Sequence, residues 1–132
     1  MKSIAKLGAA FLAAGFLGIL PAHAEGDAAA GKKVFNKCVA CHDAVTEKNK
    51  IGPSLLGVVG RKAGSLASFE AKYSDAMKAA GAGGLVWDDT ALAAYLKDPK
   101  GNIPGNKMAF PGLKADADLA NVIAYLKADP KP

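Results

Sequence analysis

Both cysteines of this 132-residue chain fall within one run of five residues, Cys38-Val39-Ala40-Cys41-His42. That spacing constrains the fold more than any other feature, because it removes the usual staple of a small domain. A disulfide between residues three apart closes a tiny loop and restricts the unfolded chain very little. A domain of this size buries a modest core and stays marginal unless disulfides, a metal or a large cofactor add to it. The two thiols are therefore available for other chemistry, and a large apolar group bound beside them would supply the missing core.

The first residues do not belong to that domain. Lys2 and Lys6 form a short basic head, Leu7 to Leu20 is apolar apart from small residues, and Pro21 breaks the run. Ala22-His23-Ala24 then presents small residues at the two positions a signal peptidase reads. The pattern predicts a secretory signal peptide over residues 1–24, cleaved after Ala24, and an exported domain over residues 25–132. A retained anchor needs about 20 apolar residues to cross a bilayer, and this run stops short at Pro21, so stable membrane insertion is not expected. Cleavage removes two lysines and no acid, which lowers the formal charge from +5 to +3. It also removes His23, leaving His42 as the sole histidine.

Periodicity and punctuation predict an all-α domain of about four helices joined by long structured loops. Asp27 is an N-cap candidate for a helix running through Gly31, Val34, Phe35 and Cys38. A polar loop follows from Asp43 to Gly52. The stretch from Gly52 to Ser65 is too broken for a helix and too glycine-rich for a good strand. A second helix is expected over Phe69–Ala80, ended by Gly81 and the Gly83-Gly84 pair. A third starts from Asp88 and reaches Lys97, where Asp98-Pro99 stops it. Lys100 to Lys114, with Pro104, Gly105, Pro111 and Gly112, reads as a second constrained loop. Asp116 or Asp118 opens a last helix with Leu119, Val122, Ile123 and Leu126 on one face. Long ordered loops in a small domain mark a functional site, and a planar ligand could sit between these two.

Cys-x-x-Cys-His is the attachment signature of c-type haem. On a helical turn residues three apart share a face, so Cys38 and Cys41 can reach the two vinyl groups of one porphyrin while His42 places an imidazole under the iron. A thioredoxin-type redox pair should follow a strand in an α/β pattern, and none is visible. A zinc site wants four ligands, and the exported chain offers two cysteines and one histidine. For the sixth iron ligand, histidine is excluded by count, leaving Met77 and Met108. Met77 lies in the predicted Phe69–Ala80 helix, where methionine more often packs than ligates. Met108 lies in a proline- and glycine-pinned loop that can hold a thioether near iron at little entropic cost. The alternative role for Met108 is a loop anchor in the core.

The exported chain resembles the class I c-type cytochromes, in the bacterial subgroup similar to cytochrome c2 and to the mitochondrial protein. The resemblance rests on Gly31-Lys32-Lys33-Val34-Phe35, Cys38 to His42, Ile51-Gly52-Pro53-Ser54-Leu55-Leu56-Gly57 and Gly60-Arg61-Lys62. Tyr73-Ser74-Asp75-Ala76, Trp87, Tyr95-Leu96-Lys97-Asp98-Pro99, Ile103-Pro104-Gly105-Asn106-Lys107-Met108 and Ile123-Ala124-Tyr125-Leu126-Lys127 complete it in order. It implies a small monohaem cytochrome c fold with one haem c, thioether-linked through Cys38 and Cys41 and ligated by His42 and Met108. It also implies that the Pro53 carbonyl accepts the imidazole N–H, and that Arg61, Tyr73 and Trp87 gather around a haem propionate. Tyr95 would sit beside Met108, and Gly31 would let the first helix pack on the last near Phe35 and Tyr125. Read without the family, Trp87 and Tyr95 could be core aromatics with a satisfied polar end, and Arg61 a surface charge. Two positions depart from the pattern: Met77 stands where relatives of the mitochondrial type usually have asparagine, and Asn106 replaces the threonine often found before Lys107-Met108.

Histidine–methionine ligation fills both axial positions and raises the reduction potential over bis-histidine iron. That argues for a monomeric periplasmic electron carrier rather than an enzyme. Lys37, Lys97, Lys100 and Lys107 fall in or beside segments expected around the haem edge, where a positive ring would steer docking onto acidic patches of membrane redox complexes. The resemblance implies a cytochrome bc1 donor and a terminal oxidase or photosynthetic reaction centre as acceptor. A generic solvated basic surface is the plainer account of the same lysines. Nucleic acid binding would need a stronger charge excess. Two other classes stay distinguishable by absorption spectra: a haem protein with peroxidase or sensor activity, if Met108 is unbound, and a cofactor-free thiol module.

Overall fold

The computed structural model describes residues 26–132, so the signal-peptide expectation lies outside the described residues. Helix α1 (Ala28–Phe35) opens on Asp27, whose carboxylate accepts the Ala30 N–H at 2.8 Å. It stops before Cys38. The N–H groups of Asn36, Lys37 and Cys38 turn to the carbonyls three residues back, at 3.3, 3.1 and 2.8 Å, so the last turn tightens.

The helix expected over Phe69–Ala80 is two elements. A 3-10 segment covers Ala67–Lys72, Tyr73 and Ser74 are extended, and α2 runs from Asp75 to Ala82. Ser74 makes the break: its hydroxyl accepts the Met77 N–H at 3.0 Å and so starts a new helix. Helix α3 (Asp89–Lys97) starts from Asp88 as expected, with the carboxylate accepting the Ala91 N–H at 2.7 Å. Asp98-Pro99 ends α3 but also begins α4 (Pro99–Asn102), since proline suits the first helical position and Asp98 caps the Gly101 N–H at 3.0 Å. Helix α5 (Asp116–Lys127) begins at the earlier of its two candidate aspartates. The described residues therefore carry five α-helices rather than about four. Among them there is no strand, only an isolated antiparallel bridge between Lys62 and Val86. The chain is all-α.

Leu119, Val122, Ile123 and Leu126 are all buried along α5, the face the apolar spacing selects. Helix α1 packs on α5 through Gly31, where a Cβ would overlap the Asn121 carbonyl. Phe35 and Tyr125 meet at 5.2 Å between ring centroids, and the Asp27 N–H donates to the Asn121 side chain at 2.8 Å. Each large apolar side chain buried here contributes about 1.5–3 kcal/mol. Helix α3 also packs on α5 and buries Leu92 and Tyr95. The site draws on the 36–66 and 103–115 segments together with Tyr73, Trp87 and Tyr95.

Candidate cofactor site

The first half of the site is local. After α1 the chain makes one more turn, with the Cys41 and His42 N–H groups both donating to the Cys38 carbonyl at 3.0 and 2.9 Å. Both thiols are free and half-buried. Burial, and to a lesser degree Cys41, pushes the Cys38 thiol up, with Lys37 opposing. His42 Nδ1 donates to the Pro53 carbonyl at 2.8 Å, and Nε2 has no partner among the described residues. Burial lowers the imidazole's proton affinity, the Pro53 bond opposes this, and Lys50 adds to the lowering. A neutral ring with Nδ1 engaged and Nε2 open is the form that binds a metal. Gly52 lies against the ring so closely that a Cβ there would overlap it.

The loop that carries Pro53 is held by several bonds. The Ser54 hydroxyl donates to the Thr46 carbonyl at 2.6 Å, and Asn49 accepts the Ser54 N–H at 2.9 Å while its amide donates to Ser68. Arg61 donates to the Ser54 and Leu56 carbonyls at 2.8 and 2.6 Å. Burial lowers its pKa, with Tyr73 opposing. Trp87 is tied to the same segment, its N–H donating to the Arg61 carbonyl and its carbonyl accepting from Gly60, both at 2.9 Å. Trp87 itself is buried. Arg61, Tyr73 and Trp87 thus share one corner, and Arg61 spends two N–H groups on the protein's own backbone.

The second half of the site is assembled from a distance. Tyr95 of α3 is buried, its ring lies 5.0 Å from that of Trp87, and its hydroxyl is 4.0 Å from Met108 Sδ. Burial pushes the Tyr95 phenol up to about 12, which keeps it a donor. Met108 is half-buried against the core together with Leu55, Val59, Met77, Leu85, Leu96, Phe110 and Cys38. Half-buried apolar side chains, two thiols and an open imidazole nitrogen are together the chemistry that a large apolar ring system with a metal at its centre requires. A cleft of about 270 Å³ beside His42 is lined by Phe35, Val39, Asp43 and Tyr125. A larger groove of about 880 Å³ runs along α3 and α5 past Gly26 and contains none of these residues.

Lys37, Lys97, Lys100 and Lys107 are exposed. Lys97 pairs with Asp116 at 3.4 Å, and Lys107 reaches the Lys72 carbonyl at 3.5 Å. Spacing alone did not point to Gly52, Ser54 and Leu56 as parts of the site. The backbone polarity of a glycine–proline loop beside His42 was the available signal.

The model of the family described as Cytochrome c matches residues 28–128. Cytochrome c2 iso-2 of Magnetospirillum fulvum is 57% identical over 94 residues, spanning 71% of this chain and 93% of its own length. Cytochrome c-554 of Methylosinus trichosporium is 46% identical over 127 residues, 96% of this chain and 92% of the relative. The crystal structure of cytochrome c2 from Rhodobacter sphaeroides superposes with a TM-score of 0.71 at 42% identity, covering 77% of this chain and 94% of that one.

Proposed function

The chain belongs to the cytochrome c family, carries haem c and transfers electrons, and on that premise we propose that it is a periplasmic shuttle between membrane redox complexes in which His42 and Met108 would hold the iron. When bound, haem c supplies an iron that exchanges one electron between its ferric and ferrous states. Cys38 and Cys41 hold the group by thioethers. His42 offers Nε2 because Pro53 occupies Nδ1 at 2.8 Å, the single observation that most supports the assignment. Met108 offers a soft thioether from the opposite loop, and Tyr95, 4.0 Å away, donates toward that sulfur. Arg61, Tyr73 and Trp87 present donors for a propionate. The apolar fringe excludes water and favours the less charged ferrous state. With His42 and Met108 both committed to the iron, the chain would leave no position there for a substrate.

Residues 1–24 direct export and are cleaved, which puts haem attachment in the compartment where it occurs. Among the described residues no helix is long and apolar enough to cross a membrane. The exposed lysines steer docking onto acidic patches of a bc1-type donor and of an oxidase or reaction-centre acceptor, fast at low salt and slower as salt rises. Absorption spectra of the exported protein and of Met108→Ala test the ligand assignment. The ferric wild type should show the weak sulfur–iron band near the red end of the visible, and the variant alone should gain high-spin features. A wild type without the band would favour a peroxidase or sensor, and a variant that keeps it would point to Met77.

A further inference from the structure

We infer that Asn106 is the positioning residue of the Met108 loop, fixing the ligand's backbone to two helices through both ends of one side-chain amide. The inference rests on Met108 being the iron ligand. Between Ile103 and Leu113 only Asn106 is buried, whereas Pro104, Gly105, Lys107, Ala109 and Pro111 are exposed. Met108 and Phe110 are only half-buried against the core, so the loop is fixed in its path only in part by packing. It also has almost no backbone support: among the described residues, no N–H from Lys107 to Gly112 reaches a backbone carbonyl. The Met108 N–H is held instead by Asn106 Oδ1 at 2.9 Å.

The same oxygen is 3.4 Å from the Tyr95 hydroxyl on α3. At its other end Asn106 Nδ2 donates to the Pro99 and Ile103 carbonyls, both at 2.8 Å, which ties it to the first residue of α4 and to the residue that follows the helix. Two donors and two acceptor sites are all an amide has: both donors are used, one acceptor site holds the Met108 N–H, and the other shares the single Tyr95 hydroxyl hydrogen with the Met108 sulfur. No other side chain of this size does the same. Aspartate would set a carboxylate against two carbonyls. Threonine has one donor for those two carbonyls. Leucine would strand the Met108 N–H. Tyr95 therefore touches both the sulfur of Met108 and the group that anchors its backbone, so the thioether is positioned from both sides of the residue.

Imidazole titration of the ferric holoprotein measures this positioning, because added imidazole competes with the thioether for iron. Wild type, Asn106→Thr, Asn106→Leu and Val122→Ala are compared, with the sulfur–iron band and far-UV circular dichroism recorded for each. Losing one to several hydrogen bonds to the loop should raise imidazole affinity about threefold in Asn106→Thr and about tenfold or more in Asn106→Leu. Val122→Ala weakens the α5 core away from the loop, and its affinity should stay within about twofold of wild type. If Asn106→Leu does not take up haem, Asn106→Thr decides. The inference is overturned if the Asn106 variants bind imidazole as wild type does while the wild-type band is present, or if Val122→Ala raises affinity as much as they do. A wild type that lacks the band overturns the Met108 assignment first, and this inference with it.

Discussion

His42 and Met108 are presented in opposite ways, one by residues close in sequence and the other by side chains and carbonyls gathered from separate elements. On the His42 side the elements are neighbours in sequence. Two thiols and the imidazole occupy one turn, and the Pro53 carbonyl that orients the ring is eleven residues away. On the Met108 side nothing is covalent, and the loop depends on an amide, a phenol and two carbonyls drawn from α3 and α4. The first arrangement survives local disorder elsewhere in the fold. The second exists only once α3 and α4 are packed.

The largest effect should therefore come from the local side. Replacing Cys38 and Cys41 together by alanine should abolish haem staining on a denaturing gel and most of the helical circular dichroism, because the half-buried fringe loses the group that covers it. Met108→Ala should keep the full haem stain and lose only the sulfur–iron band. If it also lost the haem, the two sides would not be independent as described. Gly52→Ala should fall between the two in kind but be smaller in size. The methyl would press on the imidazole ring, costing about 1–3 kcal/mol of stability, and a thermal scan should show a melting point lower by several degrees with haem still attached. The smallest effect should follow Lys100→Glu with Lys107→Glu. Stopped-flow reduction by an acidic redox partner should slow several-fold at low salt, and the difference should vanish as ionic strength rises.

The contrast also governs what could be read before folding. Asp27 and Asp88 were legible as caps because a cap is a short-range bond to an N–H three residues on. The apolar stripe of α5 was legible because one face repeats four times. The break before α2 was not, since Ser74 inside an otherwise helical pattern looks the same whether it faces solvent or caps. Asp98-Pro99 carried a stop and a start in one dipeptide, and only the stop shows in the pattern. At the site, the cysteines and His42 are evident from spacing alone. Arg61 is the opposite case: its carbonyl partners at Ser54 and Leu56 are set by how the loop closes, which no local pattern encodes. Asn106 stood out only as an unusual residue before Lys107-Met108, because its partners Tyr95 and Pro99 come into reach only after α3 and α4 have packed.

The seating of α1 on α5 has a further consequence in time rather than in space. Asp27 bonds to Asn121, 94 residues later in the chain, so the helix that precedes the cysteines finds its partner only after nearly all of the domain has been made. Long-range closure of this kind is slow to form. Until it forms, the Cys38–His42 turn hangs from an undocked helix. The thiols, half-buried once the chain is folded, should be most accessible before α5 docks on α1.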